Sequence, residues 1–144
     1  HQGQQLGLLA RLVNARRAVE VGTFTGYSSL CIAEALPVDG KLWCCDVSTE
    51  WTTIARHYWK EAGLDGRIEL TIGPATATLD WLLAQGLTGQ LDLAFIDANK
   101  DDYDAYYERC LKLVRRGGLV LIDNVLWGGS VANLAENDRD TQAI

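Results

Sequence analysis

The sequence predicts a doubly wound α/β domain on a mostly parallel sheet, and three observations predict it. Two apolar runs, Leu91-Asp92-Leu93-Ala94-Phe95-Ile96-Asp97 and Leu119-Val120-Leu121-Ile122-Asp123-Asn124, have strand composition. Near-continuous runs of this kind belong to strands covered on both faces, which is how parallel sheets look in sequence. Strand segments alternate with helical ones along the whole chain, and that alternation means right-handed crossovers. Each of the two runs also ends abruptly in oxygen-bearing side chains, at the strand ends where open parallel sheets bind ligands. The strand order expected is 3-2-1-4-5, first strand central, in one domain over residues 1–144.

The elements follow in order. From Gln5 to Asn14, Leu6, Leu9, Leu12 and Val13 form a helical stripe. Arg17 to Val21 reads as the first strand. A glycine-rich turn leads to a helix from about Tyr27 to Leu36, and Pro37 and Gly40 turn into a strand from Lys41 to Asp46. Ser48 or Thr49 can cap the next helix, which runs to Ala62 and stops at Gly63. Ile68 to Ile72 is the third strand. A helix from Ala75 to Gln85 passes through Gly86 and Gly89 to the fourth strand, Leu91 to Ile96. Asp101 to Val114 is helical, with Tyr103, Tyr106, Tyr107, Cys110 and Leu111 as its apolar face. Gly117-Gly118 then turns into a fifth strand from Leu119 to Asp123.

The net charge of -6 argues against a nucleic-acid partner, because phosphate binding wants a basic face. Arg16-Arg17 and Arg115-Arg116 are too short to reverse that. No apolar run approaches the ~20 residues a membrane span needs, and no signal peptide is visible, so no membrane partner and a cytoplasmic location are expected. Cys31, Cys44, Cys45 and Cys110 lack metal-ligand spacing and read as reduced core thiols, with Cys44 and Cys45 pointing to opposite faces. His1 and His57 carry no assigned role. The chain contains no Met and stops at Asp140-Thr141-Gln142-Ala143-Ile144, which looks like a helix opening; both ends are expected to be cut.

Asp97, Asp123 and Asn124 should converge at neighbouring strand ends. Two carboxylates and an amide oxygen form an all-oxygen set suited to a hard divalent cation such as Mg2+. Any one of these carboxylates could instead cap the helix that follows; three such groups on two strand ends favour the metal. Glu20-Val21-Gly22-Thr23-Phe24-Thr25-Gly26-Tyr27-Ser28 sits where the first strand hands over to its helix. Its spacing departs from the dinucleotide fingerprint, since Phe24 stands where the second glycine belongs, which disfavours a nicotinamide dehydrogenase. Asp46 closes the second strand, where a carboxylate can take both ribose hydroxyls, so the pocket suits an adenosine-type ligand.

The segment from Glu20 to Ser28 is similar to the glycine motif of S-adenosylmethionine-dependent methyltransferases. With Ile72-Gly73-Pro74-Ala75, Phe95-Ile96-Asp97-Ala98-Asn99-Lys100 and Ile122-Asp123-Asn124-Val125-Leu126-Trp127, the chain resembles the cation-dependent O-methyltransferases, the group of caffeoyl-CoA and catechol O-methyltransferases. The resemblance implies a Rossmann-like methyltransferase fold whose closing antiparallel strands are missing from this chain. It also implies methyl transfer from S-adenosylmethionine to a hydroxyl of a small aromatic vicinal diol, in a homodimer. Glu20, Gly22, Thr23 and Ser28 would hold the methionine part and ribose side of the cofactor. Asp46 would take the ribose hydroxyls, and Ala75 would meet the adenine through its backbone amide. Asp97, Asp123 and Asn124 would be the metal ligands, with Asp97 bordering both the cofactor and the reacting centre. Lys100 matches the proposed general base, and Trp127 would flank the acceptor. Asn99 stands where the family commonly has Asp.

Lys100 follows Asp97 by three residues, so its amine can reach the same pocket, where a dication would lower its pKa. The plainer alternatives are a surface ion pair of Lys100 with Asp101 or Asp104, and simple packing of Trp127 under a loop. Two other functions stay open on the residues alone: a metal-independent methyltransferase of the same fold, and a non-catalytic nucleotide-binding fragment.

Overall fold

Strand and helix alternate because apolar residues switch between a spacing of two and a spacing of three to four along the chain. The computed structural model describes residues 2–23, 26–97, 100–124 and 131–137. In chain order the elements are α1 (Gln2–Leu12), β1 (Arg17–Val21), α2 (Tyr27–Ala35), β2 (Lys41–Asp46), α3 (Thr49–Glu61), β3 (Ile68–Ile72), α4 (Ala75–Ala84), β4 (Leu91–Asp97), α5 (Tyr103–Leu113), β5 (Val114–Asn124) and β6 (Val131–Asn137). Short 3-10 turns precede β3 at Asp65–Arg67 and α5 at Lys100–Asp102. Among the described residues no helix is long and apolar enough to cross a membrane.

The sheet runs β3-β2-β1-β4-β5-β6, with the first five strands parallel in the expected 3-2-1-4-5 order. Alternate strand residues feed two separate cores. Ala18, Leu42, Cys44, Leu93, Phe95 and Leu121 pack with α1, α2 and α3 on one face. Val19, Cys45, Ala94, Ile96, Val120 and Ile122 pack with α4 and α5 on the other. β1, β2, β4 and β5 thus carry apolar residues on both sides, which produces the unbroken runs seen in sequence, whereas β3 gives Ile68 and Leu70 to one face only.

Two features differ from expectation. The closing antiparallel strands were expected to be missing, yet β6 pairs antiparallel with β5, from Gly118 opposite Asn137 to Asn124 opposite Val131. The physical cause is the open flank of β5, whose backbone N–H and C=O groups need partners. The segment Val-Ala-Asn-Leu-Ala-Glu-Asn is too polar to announce a strand by itself. β5 also starts at Val114 rather than Leu119, and Gly117-Gly118 lies inside it as an irregularity, with the β4 register shifting between Leu91 and Leu93. Gly118 is required there: a Cβ would sit 2.5 Å from Val114 Cγ1 and 2.7 Å from the Asp92 carbonyl oxygen.

The amino end of the sheet is clasped by one carboxylate. Asp92 Oδ2 accepts the backbone N–H groups of Arg16 (2.8 Å) and Arg17 (3.1 Å), while Oδ1 accepts Arg115 Nε at 2.7 Å. Arg115 Nη2 then donates to the Val13 carbonyl at 2.9 Å. One cluster therefore ties the end of α1 to the starts of β1, β4 and β5. Burial pushes the Asp92 carboxyl up, but the Arg16 N–H and the Arg115 and Arg17 donors outweigh it, and its pKa lies below the usual value.

Candidate cofactor and metal site

The carboxyl ends of β1 to β5 form one continuous edge. Gly22 N donates to the Cys45 carbonyl at 2.8 Å and Gly73 N to the Asp46 carbonyl at 2.9 Å, so the sheet ladder continues into the loops that would carry a ligand. Along this edge the structure places Gly22 and Thr23 after β1, Asp46 at the tip of β2, Ala75 at the start of α4, Asp97 at the tip of β4 and Asp123 near the end of β5.

The first turn depends on glycine. Gly26 has φ +89, in the left-handed region, and a Cβ there would meet Ala55 Cβ at 2.6 Å and Trp59 Nε1 at 2.9 Å. The Gly26 carbonyl accepts Trp59 Nε1 at 3.3 Å and Ser29 Oγ at 3.1 Å, so α3 and α2 both grip the turn. Gly22 has φ +91, and beside it Thr23 is buried. The Thr23 hydroxyl lacks a hydrogen-bond partner of good geometry, though it lies near enough to Glu20 to help stabilise its charge. A buried hydroxyl left in that state is a natural contact for a ligand.

Glu20 is wholly buried beneath this turn. Ser28 Oγ donates to its Oε2 at 2.5 Å and Cys44 Sγ approaches its Oε1 at 3.8 Å. Burial pushes the Glu20 pKa up to about 8; the Ser28 hydrogen bond and the nearby Ser29 and Thr23 hydroxyls pull it down, and the Asp97 charge raises it further. Glu20 therefore holds the Ser28 hydroxyl at the start of α2. The sequence reading missed Cys44 and Ser29 as parts of this cluster. The register that sets Glu20 opposite Cys44 is the feature that brings the thiol in, and it comes from strand pairing.

Asp46 is nearly buried, and its Oδ1 accepts the Ser48 N–H at 2.9 Å, which orients the carboxylate at the strand tip. Ser48 caps α3 by accepting the Trp51 N–H at 3.1 Å. Ala75 opens α4 behind Pro74, which supplies no side-chain cap, so the first-turn amides of α4 face the site without a capping side chain.

Asp97 and Asp123 are register partners on β4 and β5. Neighbouring strands lie about 4.8 Å apart, so register partners on one face crowd their carboxylates together. Burial, then the Asp123 charge, pushes the Asp97 pKa up to about 6. Asp123 is buried, and its Oδ1 has no hydrogen-bond partner. Two crowded carboxylates, one with an orphaned oxygen, fit a hard cation, and the amide of the next residue, Asn124, is the third oxygen donor expected. Among the described residues no group of three or more His, Cys, Asp or Glu could hold a metal. Lys100 opens the turn before α5 and Asn124 ends β5; the side chains of both, and Trp127 entirely, lie outside the described residues.

Fold and site define a doubly wound α/β protein whose carboxyl sheet edge carries a glycine turn and Asp46 beside an acidic corner at Asp97 and Asp123. The chain belongs to the O-methyltransferase family, whose model matches residues 1–144. It is 48% identical over 126 residues to a probable caffeoyl-CoA O-methyltransferase 2 of Dictyostelium discoideum, covering 88% of this chain and 54% of that one. It is 43% identical over 143 residues to the mouse catechol O-methyltransferase domain-containing protein 1, covering 99% of this chain and 55% of that one. The chain thus spans about half the length of the curated relatives it matches. Its fold is similar to that of the O-methyltransferase TomG from Streptomyces achromogenes, solved in complex with SAM, with TM-score 0.82 and 44% identity over 89% of this chain and 57% of that one.

Proposed function

We propose that the protein is a divalent-cation-dependent O-methyltransferase that moves a methyl group from S-adenosylmethionine to one hydroxyl of a small aromatic vicinal diol. The observation that carries the reading is the Asp97–Asp123 register pair with its orphaned Asp123 oxygen, beside the glycine turn and Asp46. The relatives named for catechol and caffeoyl-CoA substrates support the acceptor class.

Asp97, Asp123 and Asn124 would hold Mg2+, which supplies Lewis acidity that favours the ionised hydroxyl. The remaining work falls to the chain. Asp46, oriented by the Ser48 N–H, accepts the two ribose hydroxyls and fixes the cofactor along the edge. Ser28, held by Glu20, and the Gly22–Thr23 backbone receive its methionine end. The first-turn amides of α4 donate to the adenine. Lys100, three residues beyond Asp97, takes the proton from the attacking hydroxyl. With both reactants fixed, in-line displacement at the methyl carbon needs no covalent intermediate, and positioning contributes much of the acceleration.

Calorimetric titration with S-adenosylhomocysteine and with NAD, followed by assays on small catechols with and without EDTA, tests the reading. Selective binding of S-adenosylhomocysteine and turnover lost in EDTA are expected. Full turnover in EDTA overturns the metal, and preference for NAD overturns the class.

A further inference from the structure

Glu20 is a carboxyl sealed in the core and held by neutral groups. It is 0% exposed, and among the described residues no cation pairs with it. Its two oxygens have different partners. Oε2 accepts the Ser28 hydroxyl, at the start of α2, at 2.5 Å; the hydrogen bond to Oε1 comes from Cys44 Sγ, on β2, at 3.8 Å. The torsion that turns a carboxyl is broad and roughly two-fold, so a bond to one oxygen leaves the group free to swing. A donor on each oxygen removes that freedom.

Cys44 is the register partner of Glu20, so the parallel ladder between β1 and β2 sets their contact rather than a loop. The thiol is itself buried, and burial and the Glu20 charge push its pKa well up, which keeps the donated proton on sulfur. A thiol is a weak donor, but a buried one competes with no water and gains from the low dielectric around it. A second buried group turns this cluster towards a ligand. The Thr23 hydroxyl, 2% exposed beside the Gly22 turn, has no hydrogen-bond partner of good geometry, yet lies near enough to Glu20 and Cys44 to act on both. Buried polar groups left open in this way belong to sites that a ligand completes. Asp46 stands two residues beyond Cys44, on the same face of β2. One strand thereby supports both parts of the edge, with Asp46 directly and with Cys44 through Glu20.

We propose, on the S-adenosylmethionine reading given above, that Cys44 is a positioning residue for the cofactor. Its thiol fixes the second oxygen of Glu20, and the fixed carboxyl aims the Ser28 hydroxyl at the methionine end. Cys44 touches neither the cofactor nor the reacting atoms; it acts through two other side chains.

Calorimetric titration of the full chain with S-adenosylhomocysteine tests it, with the melting temperature of each variant measured alongside. Cys44→Ala should weaken binding about fivefold, the worth of one hydrogen bond. Cys44→Ser keeps a donor and should stay within about twofold of the parent. Cys110→Ala removes an equally buried sulfur from the opposite core, so it should lower the melting temperature as Cys44→Ala does while leaving affinity unchanged. In a Ser28→Ala background the loss from Cys44→Ala should vanish, because the side chain through which it acts is gone. Unchanged affinity in Cys44→Ala, or an equal loss in Cys110→Ala, overturns the positioning role. So does a Cys44→Ser variant that binds no better than Cys44→Ala, or full additivity with Ser28→Ala. A parent that does not bind S-adenosylhomocysteine overturns the cofactor reading and the proposal with it, an outcome distinct from the others.

Discussion

The two ends of β4 carry two aspartates in opposite conditions. Asp92, at the amino end, receives two backbone N–H groups and the Arg115 guanidinium, and its pKa is lowered. Asp97, at the carboxyl end, faces a second carboxylate across the β4–β5 register, and its pKa is raised to about 6. The same side chain on the same strand is thus saturated at one end and frustrated at the other. A fold stabilises itself where carboxylates are satisfied and leaves room for a ligand where they are not.

The largest expected effect tests the frustrated end. Asp123→Ala should lower kcat/KM by about 10³-fold or more, roughly 4 kcal/mol of transition-state stabilisation. The metal-free fold should be as stable as the parent or more so, because a like-charge neighbour is gone. Steady-state kinetics across a Mg2+ titration, paired with calorimetric melting, read both halves; a variant that melts much earlier would remove the contrast.

Asp92→Ala should do the reverse. Losing charge-assisted hydrogen bonds at this junction should cost about 2–4 kcal/mol in urea denaturation, while the folded fraction keeps its turnover. Asp46→Ala is expected to weaken cofactor binding by about 1–3 kcal/mol, measured by calorimetry, with little change in stability. Cofactor binding as tight as in the parent would mean that Asp46 has no such contact.

The last effect is one of slope, spread over several pH units. Glu20 has its folded pKa raised from 4.5 to about 8, so the stability it contributes is fully present below about pH 4.5 and is lost as the pH rises through 8. Asp92, with its folded pKa lowered, behaves oppositely: its contribution is present above the unfolded value and fades as the pH falls through the folded one. Glu20→Gln should therefore flatten the decline in melting temperature between pH 5 and 8, a slope bounded at about 1.4 kcal/mol per pH unit for one proton. A decline unchanged in the variant would show that another group carries it.

Much of this was legible in the sequence. β1, β2 and β3 have the bounds expected, because their apolar residues stop where glycine, proline or a charge begins. Asp97 and Asp123 stood out for a related reason, each closing an apolar run at the edge where parallel sheets expose their ligands. β6 and the first residues of β5 were not legible, since Val131–Asn137 and Arg115–Gly118 lack strand patterning and owe their state to a neighbour's open hydrogen-bonding groups. The clasp at Asp92 and the burial of Glu20 also escaped, because their partners come from distant segments that only packing brings together.

The grip of α3 on the glycine turn has an evolutionary consequence. Ala55 occupies the space into which any side chain at Gly26 would project, and Trp59 donates its indole N–H to the carbonyl of the same glycine. The three positions form an inherited unit. A larger residue at 55 has no room unless the turn shifts, and a side chain at 26 has none unless the helix retreats. Drift among descendants of this chain should leave Gly26 and Ala55 fixed together while exposed neighbours such as Thr53 vary freely, so that the surface of α3 diversifies around an unchanging point of contact.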